Sequence, residues 1–182
     1  MALRTIACLK RFARRGINTM LTRVRTTLVW MALTGMVFSA AGGHAQSAAA
    51  TPGAAKTQQL LQDSGYQFMQ YNPTTWSIDR TASSLKSFKV ILGADNDFLV
   101  IGVVVAQKAR MQMTPEFMQS LLRFNHTLDR VKIGIDDDGD LFVRTESSVR
   151  LVDTQEFKTL VEQVATSANR VYEQSSSFIA AN

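Results

Sequence analysis

The sequence predicts an α+β domain: a single antiparallel sheet with flanking helices, in the order α-β-β-β-α-β-β-α. Three observations point there. Residues 87–106, "SFKVILGADNDFLVIGVVVA", carry apolar alternation at period two around an acidic turn. Residues 117–128 and 157–172 carry apolar side chains at the three-to-four spacing of a helix. Residues 130–147 form two alternating runs on either side of Asp138–Gly139, a hairpin signal.

The elements follow in order. A short helix is expected over Lys56–Ser64, "KTQQLLQDS", stopped by Gly65, because glycine takes the left-handed conformation of a helix end without strain. Phe68, Tyr71 and Trp76 favour extended backbone, and Asn72–Pro73 marks a turn. Trp76 and Ile78 then share one face of a strand. In the next strand Phe88, Val90 and Leu92 alternate with Lys89 and Gly93, which buries one face. Asp95–Asn96–Asp97 makes the turn into "FLVIGVVVA", residues 98–106, which is apolar on both faces and is expected at the centre of the sheet. A charge at Val103 or Val104 is expected to unfold it, since burying one such side chain contributes roughly 1.5–3 kcal/mol.

A second helix is expected to be capped by Thr114, with Pro115 first, where its missing N–H costs nothing. Phe117, Met118, Leu121, Leu122 and Leu128 recur along it. Val131, Ile133 and Ile135 on one strand and Leu141 and Val143 on the next are expected to face the core. Asp153 caps the last helix, with Glu156 three residues on in a box-like start. Phe157, Leu160, Val161, Val164, Ala165, Ala168, Val171 and Tyr172 form its stripe.

Charge divides the chain. It has 182 residues and a formal charge of +5. Residues 1–45 hold seven of the 20 basic side chains and none of the 15 acidic ones. The remainder therefore carries 13 basic and 15 acidic groups, a net of −2. The folded domain lacks the positive excess that phosphate neutralisation requires, which argues against a nucleic-acid partner.

The first 45 residues read as a Sec-type signal peptide. Arg23 and Arg25 precede the apolar run Leu28–Ala41, and small residues follow, with Gly43 and Ala45 placed for cleavage before Gln46. The run is shorter than the roughly 20 apolar residues of a membrane span. The long stretch before it leaves Met1 or Met20 as the start, and retention as an uncleaved anchor is the alternative fate. Arg14–Arg15 suggests a twin-arginine signal but lies far from the apolar run. A periplasmic or secreted protein is expected, touching the membrane only through this segment during export. Residues 46–56 read as a flexible linker, 57–175 as the domain and 176–182 as a frayed tail. The single cysteine, Cys8, falls in the removable part, so no disulfide, thiol nucleophile or thiolate metal site is expected.

The candidate chemical groups are few. Asp136, Asp137, Asp138 and Asp140 crowd around Gly139. An EF-hand loop built on that glycine would start at Gly134 and end at Thr145, so both key ligands fail. The stretch is expected to be a hairpin turn, with Asp136, Asp138 and Asp140 as weak cation candidates. His126, the one histidine of the mature chain, could form an acid/base pair with Asp129, but no second histidine or nucleophile has matching spacing. Met111, Met113 and Met118 could bind a soft metal, though methionine more often fills a core or supplies a compliant contact surface. No glycine-rich phosphate loop is present, and no cofactor is expected.

Several phrases resemble the YbjN family: "LLQDSGYQF" (60–68), "WSID" (76–79), "FLVIGVVV" (98–105) and "LLRFNHTLDRVKIGIDDDGDLFVRTE" (121–146), with the Phe124–Asn125 pair running into the hairpin. The resemblance implies the fold of type III secretion chaperones and a non-catalytic domain, described as a sensory transduction regulator, with no catalytic or ligand residue to transfer. It implies exposed apolar surface, a homodimer as one possible state, and a protein or peptide as partner. Three functions compete: an exported protein-binding module, with an exposed sheet edge able to accept an added strand; a cation-binding envelope protein using Asp95, Asp97 and the 136–140 aspartates; and an enzyme with a dispersed site.

Overall fold

The protein is described here by a computed structural model, over residues 51–180. The expected signal segment with Cys8, the expected Ala45–Gln46 cleavage point and residues 46–50 of the expected linker lie outside the described residues.

Six strands form one antiparallel sheet: β1 (Phe68–Asn72), β2 (Thr75–Ala82), β3 (Lys86–Ala94), β4 (Phe98–Ala106), β5 (Lys132–Ile135) and β6 (Leu141–Ser148). Their order is β1-β2-β3-β4-β6-β5, so "FLVIGVVVA" lies in the middle as expected. Among the described residues three α-helices accompany them: α1 (Pro52–Ser64), α2 (Pro115–Asn125) and α3 (Thr154–Gln174).

One strand more precedes α2 than the sequence suggested. The Asn72–Pro73 turn forms, and Asn72 Oδ1 accepts from the Thr74 N–H at 2.9 Å and from its hydroxyl at 3.1 Å. The extended run before the turn becomes a strand because the turn folds it back onto β2, with Phe68 opposite Ile78.

Period-two alternation sends one set of side chains to the helical layer. Trp76 lies opposite Leu92, Leu92 opposite Ile101, and Val103 opposite Val143. All of these are buried, with Leu99 and Val105. On α3 the residues Phe157, Leu160, Val161, Val164, Ala168 and Val171 close over them, and the helix packs chiefly on β4 and β6 with α1 beside it. Asp153 caps α3 by accepting from the Glu156 N–H at 2.7 Å. The expected reciprocal half of the box is absent, because the Glu156 carboxylate pairs with Arg130 instead. At its other end Asn169 Oδ1 accepts from the N–H groups of Ser84 and Leu85, at 2.9 and 3.0 Å, and pins the β2–β3 turn to the helix.

Two boundaries differ from expectation. Residues 52–56 are not linker: α1 starts at Pro52, with Thr51 as its cap and proline in the first turn. Gly53 makes this possible. A Cβ there would stand 1.7 Å from the Asp95 carbonyl oxygen, so only glycine lets the first turn of α1 rest on the β3–β4 turn. The tail is not frayed to its end either. Ser176–Phe178 form a 3-10 turn and Ile179 is buried in a bridge to Met111. Low-complexity composition hid both segments, since each is ordered by a long-range contact rather than by its own propensity.

Val103 and Val104 separate in the structure. Val103 faces the core, whereas Val104 is half-buried on the opposite face of the sheet. Only Val103 meets the condition for unfolding by a charge. Val103→Asp is expected to remove the cooperative thermal transition, an isolated buried carboxylate costing a large share of the ~5–15 kcal/mol that holds a domain. Val104→Asp is expected to retain a transition, with a loss of roughly 1–2 kcal/mol. Circular dichroism melts of the two variants check this.

Candidate functional site

Two aspartates of the 136–140 turn, Asp136 and Asp140, accept backbone N–H bonds. Asp136 Oδ1 accepts from the N–H groups of Asp138 and Asp140, at 3.0 and 2.8 Å. The Asp136 carbonyl accepts from the Gly139 N–H at 3.0 Å, and Gly139 has φ 85°, the left-handed region that glycine tolerates. Asp140 Oδ1 accepts from the Lys108 N–H at 2.8 Å, tying the hairpin to the chain after β4. Asp95 repeats the device in the β3–β4 turn, accepting from the N–H groups of Asp97 and Phe98 at 2.9 and 2.8 Å. Both stretches are side-chain-closed turns. Among the described residues no group of three or more His, Cys, Asp or Glu side chains is placed to hold a metal ion.

His126 is exposed at the end of α2, and no hydrogen bond joins its ring to Asp129. A shallow groove of about 500 Å³ runs between residues 127–129 and α3, lined in part by Asp129, Lys158, Glu162 and Arg170. His126 does not line it, so the candidate acid/base pair with Asp129 is not assembled, and the histidine is solvent-exposed. Beside the groove lies a cluster that the sequence did not reveal. Tyr66 donates its hydroxyl to Glu162 at 3.1 Å, Arg80 pairs with Glu162 at 2.6 Å, and the Arg80 guanidinium sits 5.8 Å from the Tyr66 ring centre. Burial, then the Glu162 carboxylate, holds the Tyr66 hydroxyl above its ordinary pKa. The cluster joins β2 to α3 and contains no nucleophile activated for attack.

Asn125 has a visible role. Its Oδ1 accepts from the Ile133 N–H at 2.8 Å. Ile133 belongs to β5, an outer strand of the sheet, so α2 seals part of that edge. The strand-accepting edge expected from the sequence is therefore restricted at β5.

The methionines and leucines of α2 divide into two rows. Phe117 and Leu121 are buried, while Met118 and Leu122 stand 37% and 70% exposed one turn apart. Met113, just before the helix, is 41% exposed. The apolar face of α2 is wider than the domain covers. The open face of the sheet differs: Met69 and Phe98 are exposed there, but the ion pairs Lys89–Asp79 and Arg144–Glu146 cross it, and the Arg144 guanidinium lies 5.3 Å from the Phe142 ring centre. Sequence periodicity marked Met118 and Leu122 as apolar positions of a helix; their exposure depends on where the neighbouring strands end.

A profile of the YbjN family, described as "Putative bacterial sensory transduction regulator", matches residues 58–176. The chain belongs to the YbjN family. The solved structure of YbjN from E. coli shares 18% identity with it, over 72% of this chain and 97% of that one, at a TM-score of 0.53. The heterodimeric ExoU–SpcU complex of the Pseudomonas aeruginosa type III secretion system contains a chain 16% identical, over 64% of this chain and 94% of that one, at 0.50. These similarities establish the shared secretion chaperone-like α+β fold. No curated protein matches the chain. Among the described residues no helix is long and apolar enough to cross a membrane.

Asp136→Ala is expected to lower stability by about 1–2 kcal/mol through loss of two charge-assisted hydrogen bonds. Millimolar calcium is expected to leave the melting temperature of the unsubstituted protein unchanged. A calcium-dependent rise that Asp136→Ala abolishes would restore the cation-site reading; differential scanning fluorimetry decides between them.

Proposed function

We propose that this YbjN-family domain is an exported, non-enzymatic module that binds a protein or peptide partner, in a chaperone-like or regulatory role. The observation that carries the reading is the exposed apolar row of Met113, Met118 and Leu122 on and beside α2. Water contact at such a row is unfavourable. Covering the exposed part of Leu122, and the smaller exposed part of Met118, contributes a share of the roughly 1.5–3 kcal/mol that full burial of each such side chain supplies, a useful fraction of a micromolar affinity. Methionine adds a flexible, polarisable surface that adapts to more than one partner shape. Among the acids, Asp95, Asp136 and Asp140 bond to backbone at turns, and Asp79, Glu146, Glu156 and Glu162 form ion pairs. The family description and the complex formed by a structural relative support recognition over catalysis. A second copy of the chain is one partner that such a row can accept, giving a homodimer.

Export rests on the basic flank, the apolar run 28–41 and the small residues before Gln46. N-terminal sequencing of the protein recovered from the cell envelope is expected to begin at Gln46; a chain beginning at Met1 or Met20 contradicts cleavage.

Leu122→Glu is expected to change stability by less than about 0.5 kcal/mol, because the side chain is mostly exposed. The same substitution is expected to weaken partner binding at least tenfold, since it removes an apolar contact and buries a carboxylate in its place. Sedimentation and crosslinking of envelope fractions, with Leu122→Glu beside the unsubstituted chain, read both the homodimer and other partners. Identical complexes from both proteins would overturn the reading.

A further inference from the structure

The last described residues make an isolated antiparallel bridge away from the sheet. After the 3-10 turn at Ser176–Phe178, Ile179 bridges Met111 in antiparallel fashion. The Gln112 N–H donates to the Phe178 carbonyl at 2.9 Å, and the Ala180 N–H donates to the Arg110 carbonyl at 2.8 Å. The Arg110 guanidinium also donates to the Ala180 carbonyl. Phe178 stacks on Phe117 with ring centres 4.8 Å apart and planes 21° from parallel. Ile179 is buried, whereas Ser176, Ser177 and Ala180 are exposed.

This is strand addition carried out within one chain. Main-chain groups of residues 110–112 supply the hydrogen bonds, and the Phe117 ring and the Ile179 hole supply side-chain selection. A partner strand is recognised by that combination: backbone bonds for affinity, pockets for alternate or successive side chains for specificity. The tail's own composition does not order it. "SSSFIAAN" is serine-rich and carries a single aromatic–aliphatic pair, Phe178–Ile179. Its hold is two ladder bonds, one guanidinium bond, one stack and one buried isoleucine. Segments tied by so few contacts are those that open locally without unfolding the rest. The slot also adjoins the exposed row, because Met113 directly follows Gln112.

We propose that residues 110–112 and Phe117 form a strand-accepting slot, closed in cis by residues 176–180, and that an extended partner segment with an aromatic residue followed by an aliphatic one takes the slot when the tail leaves. The tail is thus both a cover for Phe117 and a template for what binds there. The proposal deepens the protein-binding reading and rests on it, but the slot can be examined without knowing the partner.

The probe is a synthetic peptide of residues 175–182, SSSFIAAN, titrated into the full chain and followed by amide chemical shifts. The full chain with Phe178→Ser and Ile179→Ser, whose own tail cannot fill the slot, is expected to bind the peptide at least tenfold more tightly than the unsubstituted chain. The perturbed amides are expected at Met111, Gln112 and Phe117. A peptide with serine in place of its phenylalanine is expected not to bind. No binding to a folded double variant, or equal binding to both proteins, would overturn the slot. Should the double variant fail to fold, hydrogen exchange on the unsubstituted chain gives a second reading. The Gln112 and Ala180 amides are expected to exchange at least 100-fold faster than those of Ile101 and Val103. Exchange at the same rate would show that the tail opens only with the whole domain and would end the proposal. Leu122 plays no part in either measurement, so failure here and failure of binding through the α2 row are read separately.

Discussion

The contact between the α3 stripe and the inner faces of β4 and β6 is the one on which the other elements depend. Val161, Val164 and Val171 on the helix and Ile101, Val103 and Val143 on the sheet are all buried in it. Each such side chain contributes about 1.5–3 kcal/mol when removed from water. Conformational entropy opposes the sum, so loss of a few of these contacts is enough to lose the fold. α3 also reaches beyond its stripe. Asn169 holds the β2–β3 turn, and Glu162 gathers Arg80 and Tyr66. α1 then fills the space beside α3, and its glycine-permitted first turn rests on the β3–β4 hairpin.

A single helical layer covers a single face of the sheet, and that constraint shapes the surface. The other face carries the Lys89–Asp79 pair between β3 and β2, the Arg144–Glu146 pair along β6, and Arg144 near the Phe142 ring. Part of the edge of one outer strand is sealed by Asn125 of α2. To place Asn125 there, α2 must sit at the margin of the core, where it buries Phe117 and Leu121 and leaves Met118 and Leu122 in water. The exposed row is thus a consequence of the same geometry that protects the sheet edge. Of the aspartates that drew attention in the sequence, Asp95 and Asp136 accept the backbone N–H bonds that close their turns, and Asp140 accepts from Lys108.

Much of the fold was legible because local chemistry and global packing agreed. Thr114–Pro115 and Asp153 begin helices as capping residues should, and Asp138–Gly139 turns the hairpin. The central position of residues 98–106 followed from their apolar character on both faces. The extra strand β1 was not legible as a strand, because the turn after it and pairing with β2 decide its state. The start of α1 and the docking of the tail were hidden for the same reason. Gly53 against Asp95 and Phe178 against Phe117 are contacts between residues far apart in sequence. At the candidate site, periodicity identified Phe117, Met118, Leu121 and Leu122 as apolar but not which pair the domain would cover. His126 and Asp129, close in sequence, are kept apart in role by the exposed end of α2.

The claim that this domain meets its partner through side chains next to α2 is tested most directly by methionine oxidation in place. Hydroxyl radicals convert exposed methionine to sulfoxide, which mass spectrometry counts residue by residue. Met69, on the open face of the sheet, serves as the internal reference at 54% exposure, beside 41% for Met113 and 37% for Met118. In dilute purified protein all three are expected to oxidise readily. In intact cells the account expects Met113 and Met118 to be protected several-fold relative to Met69. Equal reactivity of the three residues in cells and in dilute solution would contradict it.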